Sequence, residues 1–204
     1  MIVIIDYGVG NLFSLKSSFD KIGVETIVSG DIDTIKKASK IVLPGVGAFC
    51  DAVNKLKETG LFEVIIKEAK NNKPILGICL GMQMLFDKSF ENGEYEGLGL
   101  IEGEIRYIGE IIDNTLKIPH IGWNYLKFNK EKHPLFKYIN EGDYVYFVHS
   151  YYGAKCDHVI AQTEYSSMLT AAVAKGNIMG CQFHPEKSGD VGLNILKAFC
   201  EWEG

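Results

Sequence analysis

The stretch Lys73-Pro74-Ile75-Leu76-Gly77-Ile78-Cys79-Leu80-Gly81-Met82-Gln83 constrains this chain more than any other. Ile75 to Ile78 is apolar without alternation, the pattern of a strand covered on both faces, and so of a sheet with a layer on each side. Met82, Leu85 and Phe86 follow at helical spacing, which places Cys79 at a strand-to-helix turn. A turn that sharp needs small neighbours, and Gly77 and Gly81 supply them. It aims the Cys79 side chain outward, while the amides at the start of the helix favour the thiolate. Gly-x-Cys-x-Gly is the thiol form of the nucleophile elbow.

A thiolate needs a base. The run Ile178-Met179-Gly180-Cys181-Gln182-Phe183 reads as a second buried strand and ends at His184-Pro185-Glu186. Pro185 biases His184 toward an extended backbone, in which residues i and i+2 project to the same side. Glu186 is then expected to reach the imidazole, or a group next to it, and to hold the ring in the tautomer that accepts the thiol proton. The expected catalytic order is Cys79, His184, Glu186.

The chain around these segments alternates strand-like and helix-like runs in its first half, as an α/β protein with a parallel sheet does. Strands are expected at Ile2 to Ile5, Glu25 to Val28, Ile41 to Leu43 and Ile75 to Ile78. Helices are expected after strand one, with Leu12, Leu15, Phe19 and Ile22 on one face, and over about Ala52 to Lys57 and Leu61 to Asn71. From Gly93 the segments shorten and alternate, which predicts antiparallel or mixed strands at Leu116 to Ile118, Tyr125 to Phe128, Tyr144 to Val148, Val159 to Thr163 and Thr170 to Ala174. Val191 to Trp202 is the closing helix. The 204 residues, 47% hydrophobic, suffice for one sizeable core, so one domain over residues 1–204 is expected.

Charge and cysteine usage narrow the function classes. A net charge of -5 without a basic stripe argues against a nucleic-acid partner. The apolar runs are strand-length and Met1-Ile2-Val3-Ile4-Ile5 meets Asp6 directly, so neither membrane span nor signal peptide is expected. Five irregularly spaced cysteines suit free thiols in a reducing cytoplasm, and no spacing suggests a metal. Cys50, Cys156, Cys181 and Cys200 read as inert, and His120 and His149 as non-catalytic.

Two glycine loops remain. Asp6-Tyr7-Gly8-Val9-Gly10-Asn11 invites a dinucleotide-binding reading, but the position of the third glycine is Phe13, so no cofactor is expected. Pro44-Gly45-Val46-Gly47 ends a strand that should neighbour the one leading into Cys79, at the sheet edge where such folds carry their sites. The amides of Val46 and Leu80 are the candidates to hold the oxyanion formed when a thiolate attacks an amide, each such donor being worth ~3 kcal/mol. Two ordinary tight turns are the competing reading.

Gly-Ile-Cys-Leu-Gly-Met-Gln, the upstream Pro-Gly-Val-Gly and Gln-Phe-His-Pro-Glu-Lys-Ser together resemble a class I (triad) glutamine amidotransferase. Asp6 to Leu12, Pro119-His120-Ile121-Gly122-Trp123-Asn124 and Tyr146-Phe147-Val148-His149-Ser150-Tyr151 resemble the branch that forms the glutaminase subunits of imidazole glycerol phosphate synthases. Matches run from residue 4 to about residue 193. The resemblance implies an open, mixed, mainly parallel sheet flanked by helices, flavodoxin-like. It implies that Cys79 forms a γ-glutamyl thioester, that His184 is base and then acid, and that Glu186 orients it. Gln83, Glu91 and the backbone of Gly45, Gly47, Ser150 and Tyr151 would bind glutamine, with Glu91 suited to the ammonium. Asn11, Trp123, Tyr146 and Lys187 would face the partner, a (β/α)8-barrel cyclase with which the family forms a heterodimer. Family behaviour further implies that the Gly45-Val46 peptide turns to complete the oxyanion hole once the partner is loaded.

On residue type alone, Trp123 and Tyr146 suit core or interface, Tyr151-Tyr152 suits strand packing, and Lys187 is a solvated lysine. The leading function is therefore glutamine hydrolysis through a cysteinyl thioester, with ammonia channelled to a cyclase that makes imidazole glycerol phosphate and AICAR in histidine biosynthesis. Three rivals stand beside it: a paralogue feeding a sugar amidotransferase of surface polysaccharide assembly, a freestanding thiol hydrolase of γ-glutamyl compounds, and a non-enzymatic nucleotide-binding module.

Overall fold

A computed structural model describes residues 1–129 and 131–203. The first half follows the expected alternation: β1 (Ile2–Ile5), α1 (Leu12–Lys21), β2 (Thr26–Ser29), α2 (Ile32–Lys37), β3 (Lys40–Leu43), α3 (Phe49–Glu58), α4 (Leu61–Lys70), β4 (Ile75–Ile78) and α5 (Leu80–Met84). The second half is richer in strands: β5 (Phe86–Ser89), β6 (Tyr95–Glu96), β7 (Ile101–Tyr107), β8 (His120–Tyr125), β9 (Lys127–Phe128), β10 (Tyr144–His149), β11 (Tyr151–Ala154), β12 (Val159–Tyr165), β13 (Ser167–Lys175), β14 (Ile178–Cys181) and α6 (Gly189–Cys200).

The central sheet has eight strands in the order β2-β1-β3-β4-β14-β13-β12-β9. Its first five are parallel and the remaining pairings antiparallel, so the sheet is open, mixed and mainly parallel. β1, β4 and β14 are buried along their whole length, which is why they read as unbroken apolar runs. One face packs on Ile35, Phe49, Leu56, Leu61 and Ile65 of α2 to α4. The other packs on Leu15 and Phe19 of α1 and Ile195, Leu196 and Phe199 of α6, together with Val145 and Phe147 of β10. β10 and β8 form a separate antiparallel ribbon, and β11-β7-β5-β6 a third sheet.

Two expectations are corrected. The helical spacing of Met82, Leu85 and Phe86 does not extend a helix: α5 ends at Met84 and Phe86 opens β5, because Leu98 and Gly99 donate their amides to Met84 O and Phe86 O. Leu116 to Ile118 is no strand; the segment is irregular, with Leu116 N–H bonded locally to Asp113 O, and it ends at a cis Ile118–Pro119 bond. α2 was hidden in the sequence by its brevity, although Asp31 caps it by accepting from Thr34 N–H at 2.8 Å.

Candidate active site

β4 and β14 lie side by side in the middle of the sheet, with Ile78 opposite Cys181, so the turns that follow them bring Cys79 and His184 together. Cys79 has φ 56° and ψ -113°, a left-handed conformation that costs a residue with a side chain on the order of 1–3 kcal/mol. Packing imposes it. A Cβ at Gly77 would lie 2.6 Å from Gly81 O, and one at Gly81 would strike the Leu43 carbonyl. Cys79 N–H donates to Cys181 O at 2.7 Å, pinning the turn to β14. Since α5 has only five residues, the sulfur sits by the unpaired amides of a single helical turn, not at the end of a long dipole.

His184 is extended, at φ -99° and ψ 98°, but Pro185–Lys187 is a short 3-10 turn and not the extended continuation expected from the His-Pro-Glu pattern, so the turn, not a strand alternation, brings Glu186 back to the ring. β10 clamps that turn: His184 N–H donates to Tyr146 O at 2.9 Å, and Tyr146 N–H donates to Ser188 Oγ at 3.0 Å. His184 Nδ1–H donates to Glu186 Oε1 at 2.8 Å, which leaves Nε2 as the ring nitrogen available to Cys79. Both side chains are 4% exposed, and Glu186 Oε2 has no protein partner. Burial works against an imidazolium here, but hydrogen bonds and charge from Cys79 and Glu186 outweigh it and raise His184 to about 10. The imidazolium form of His184 is thus favoured beside the Cys79 sulfur, which also lies 4.0 Å from Val148 O.

A cavity of about 410 Å³ opens over the pair, lined by Val46, Gly47, Cys79, Leu80, Gln83, Glu91, Ser150, Tyr151, His184 and Lys187 among others. Volume alone does not single it out. A hollow of about 420 Å³ lies beside Glu104, Arg106 and Tyr152, but its one cysteine, Cys156, is pushed up in pKa by burial and no histidine lines it. Glu91 Oε2 accepts from Phe49 N–H at 2.8 Å and caps α3, whose N-cap Ala48 has no side chain to do so; its other oxygen remains for a ligand cation. Gln83 Nε2 donates to Tyr151 O and to Gln182 Oε1, leaving the Gln83 Oε1 as the atom able to accept from a ligand.

Gly45 departs from expectation. It is buried below the cavity and does not line it, because a Cβ there would sit 2.8 Å from Gly81 N and 3.0 Å from Tyr7 Oη. The first glycine loop buttresses the second: Tyr7 donates its hydroxyl proton to Pro44 O at 2.8 Å, and a Cβ at Gly10 would lie 3.2 Å from Pro44 Cβ. Val46 and Gly47 above it are exposed, and Gly47 has φ +93° with open space around it.

Of the four residues expected at a partner surface, Trp123, Tyr146 and Lys187 cluster beside the cavity, and Asn11 stands apart at the start of α1. Trp123, 54% exposed, meets Tyr146 edge-on at 6.1 Å, and Lys187 Nζ sits 5.8 Å over the Tyr146 ring while also lining the cavity. Asn11 Oδ1 caps α1 by accepting from Ser14 N–H at 3.4 Å. Phe13, 83% exposed, and Ile121, 58% exposed, are apolar residues that the sequence reading passed over.

It also missed Gln182 and the histidine pair. Gln182 is fully buried, and its Nε2 lies 3.8 Å from Cys79 Sγ. His149 lines the cavity and bonds to His120 at 3.0 Å. The signals were a polar residue inside a buried strand, and a histidine at the inward phase of Val145, Phe147 and His149. Among the described residues no cluster of three or more His, Cys, Asp or Glu has metal-binding geometry, and no helix is long and apolar enough to cross a membrane.

The family model of the class-I glutamine amidotransferases matches residues 3–201. The imidazole glycerol phosphate synthase subunit HisH of Sulfurimonas denitrificans is 52% identical over 99% of this chain and 98% of its own length. The subunit of the same name from Lactococcus lactis is 50% identical over 98% of both. Among solved structures, one titled as a glutamine amidotransferase superposes with a TM-score of 0.75 at 16% identity, over 98% of this chain and 100% of that one. PurLQS from Thermotoga maritima superposes at 0.74 with 20% identity, over 98% and 96%. At those identities the structures speak for the fold alone.

Proposed function

The chain belongs to the class-I glutamine amidotransferases, and on that premise we propose that it is the glutaminase subunit of an imidazole glycerol phosphate synthase, acting in histidine biosynthesis. The observation that carries the chemistry is the buried Cys79–His184–Glu186 line at the floor of a cavity with a carboxylate, Glu91, on its wall.

In this reading glutamine enters with its α-ammonium toward Glu91 and Gln83 Oε1, and its α-carboxylate toward backbone at Gly47, Ser150 and Tyr151. The Cys79 thiolate attacks the side-chain amide carbon. The negative charge that moves onto the carbonyl oxygen is held by the amides of Leu80 and Val46. His184 gives its proton to the departing nitrogen, and ammonia leaves as the carbon–nitrogen bond breaks. The neutral imidazole then takes a proton from water, whose oxygen attacks the thioester; the carbon–sulfur bond breaks, glutamate forms, and the thiolate–imidazolium pair is restored. Glu186 holds the imidazole throughout.

Ammonia in neutral water is mostly protonated and useless as a nucleophile, so the product must pass directly to an acceptor. The exposed Phe13, Ile121 and Trp123 support a docking face around the cavity for a (β/α)8-barrel cyclase, giving a heterodimer that yields imidazole glycerol phosphate and AICAR. The open space at Gly47 supports the expectation that the Val46 amide turns into place on docking. Five free cysteines suit a reducing cytoplasm. Relatives at 52% and 50% identity carry the synthase name, which favours this partner over a sugar amidotransferase, and the buttressing role of the first glycine loop leaves the nucleotide-binding reading without support.

The test is Cys79→Ser in the presence of the cyclase. Glutamine-dependent synthesis should vanish while synthesis from ammonium salts persists; loss of both would defeat the division of labour. Recovery of a different synthetase, instead of a barrel cyclase, in a pull-down would replace the partner.

A further inference from the structure

Two buried polar side chains beside the cavity, His149 and Gln182, have no part in glutamine hydrolysis as described above. Tyr151 O accepts from Gln83 Nε2 at 3.2 Å and from His149 Nδ1 at 2.8 Å. A carbonyl can only accept, so the atom of Gln83 facing it is nitrogen and His149 carries its proton on Nδ1. The second Gln83 N–H donates to Gln182 Oε1 at 3.0 Å, which turns the Gln182 amide so that its nitrogen faces Cys79 Sγ at 3.8 Å.

The same logic runs outward from His149. Its Nε2 is left as an acceptor, so His120 Nδ1 donates to it at 3.0 Å. His120 Nε2 then accepts from Asn124 Nδ2 at 3.3 Å. Asn124 is fixed independently: its Nδ2 also donates to Glu164 O at 2.8 Å, and its Oδ1 accepts from Tyr125 N–H at 2.9 Å. Two carbonyls at opposite ends therefore dictate one proton arrangement, and every link agrees with it. Asn124 lies next to the exposed Trp123 on β8.

We propose that Gln182 is the side-chain donor that holds the Cys79 sulfur as an anion, and that the fixed-proton chain through Asn124, His120, His149, Tyr151 O and Gln83 keeps its N–H aimed at the sulfur. Gln182 touches the reacting atom; the others are positioning residues. A glutamine suits the task because it donates without adding charge, so it does not compete with His184 for the thiolate as a lysine would. The titratable groups that act on the sulfur are His184, backed by Glu186, and Tyr7 from the first loop, while His149 from β10, Glu91 and Lys187 line the same cavity. The inference rests on Cys79 being the nucleophile of the proposed function.

Alkylation of Cys79 by iodoacetamide, followed by peptide mass across pH 5 to 10 in the full-length protein without glutamine, reads the anion directly. Gln182→Glu keeps the acceptor for Gln83 but puts an oxygen against the sulfur; it should move the midpoint up by about one pH unit and slow alkylation below it about tenfold, the scale of one hydrogen bond to a charged atom. Gln182→Leu should move it in the same direction by less. An unchanged profile in either variant, folded by circular dichroism, overturns the proposal. If neither folds, the unmodified protein decides: the Gln182 side-chain N–H resonances must shift with the Cys79 titration, and resonances that stay still overturn it. Because no glutamine is used, failure here is separable from failure of the glutaminase reading, which Cys79→Ser tests.

Discussion

Two buried histidines line the cavity with Cys79, and their surroundings shift their proton affinity in opposite directions. His184 is raised to about 10, whereas His149 is lowered to about 3 and its neighbour His120 to about 4. Burial disfavours the imidazolium in all three and is the first cause in each. The difference is in the partners: His184 faces the Cys79 sulfur and the Glu186 carboxylate, while His149 faces a carbonyl and another neutral imidazole. Equal burial thus gives one charged ring that can deliver a proton and two neutral rings that can only point.

The most damaging way to break this contrast is to neutralise the carboxylate. Glu186→Gln leaves His184 buried with one anionic partner removed, so its proton should be held less firmly and its ring less well oriented. Glutaminase turnover should fall on the order of a thousandfold, within the range of a lost acid–base group, and the alkaline limb of its pH profile should move to lower pH. A turnover within tenfold of the parent would mean that Cys79 alone sets the state of His184.

Stability against pH sharpens the contrast because the two sites have opposite signs. The folded value of His184 lies above the unfolded 6.5, so its contribution is complete below pH 6.5 and is lost as pH rises toward about 10. For His149 and His120 the folded values lie below 6.5, so their neutral burial stabilises above pH 6.5 and is lost as pH falls toward about 4 and then about 3. The slope on the acid side can reach at most about 1.4 kcal/mol per pH unit for each ring. Urea unfolding from pH 4 to 10 should show a dome, and His120→Phe should flatten its acid side while leaving the alkaline side in place. An acid limb unchanged by that substitution would place the sensitivity elsewhere.

These two sites also mark what could be read from the sequence. Cys79 and His184 were legible because each lies just past a four-residue apolar run, Ile75–Ile78 and Ile178–Cys181, and such runs read as central strands whose ends share one edge of the sheet. The paired use of glycine at 77 and 81 was legible for a steric reason that the coordinates make explicit, the approach of Gly81 to Leu43 O. His120 and His149 were not legible as a pair, since they are 29 residues apart and meet only through the antiparallel register of β8 with β10. The length of α5 was misread because Phe86 continues the helical period by coincidence while its backbone pairs with β7. Gly45 was placed against substrate because the loop motif does not distinguish the glycine that lines a cavity from the one that lets the loop pack on Gly81.

The smallest expected effect concerns Lys187, which is next to Glu186 in sequence, lines the cavity and sits over Tyr146 at the proposed docking face. If the state of His184 is set by Cys79 and Glu186, a lysine whose side chain bonds to neither should not matter to it. Lys187→Ala should therefore leave the pH midpoint of glutaminase activity within about 0.3 unit, while reducing stimulation by the cyclase about two- to fivefold, the scale of one exposed charged contact. A midpoint that moved by a full unit would extend the charged site to the docking face, and the separation between a ring that delivers protons and a surface that receives the partner would no longer hold.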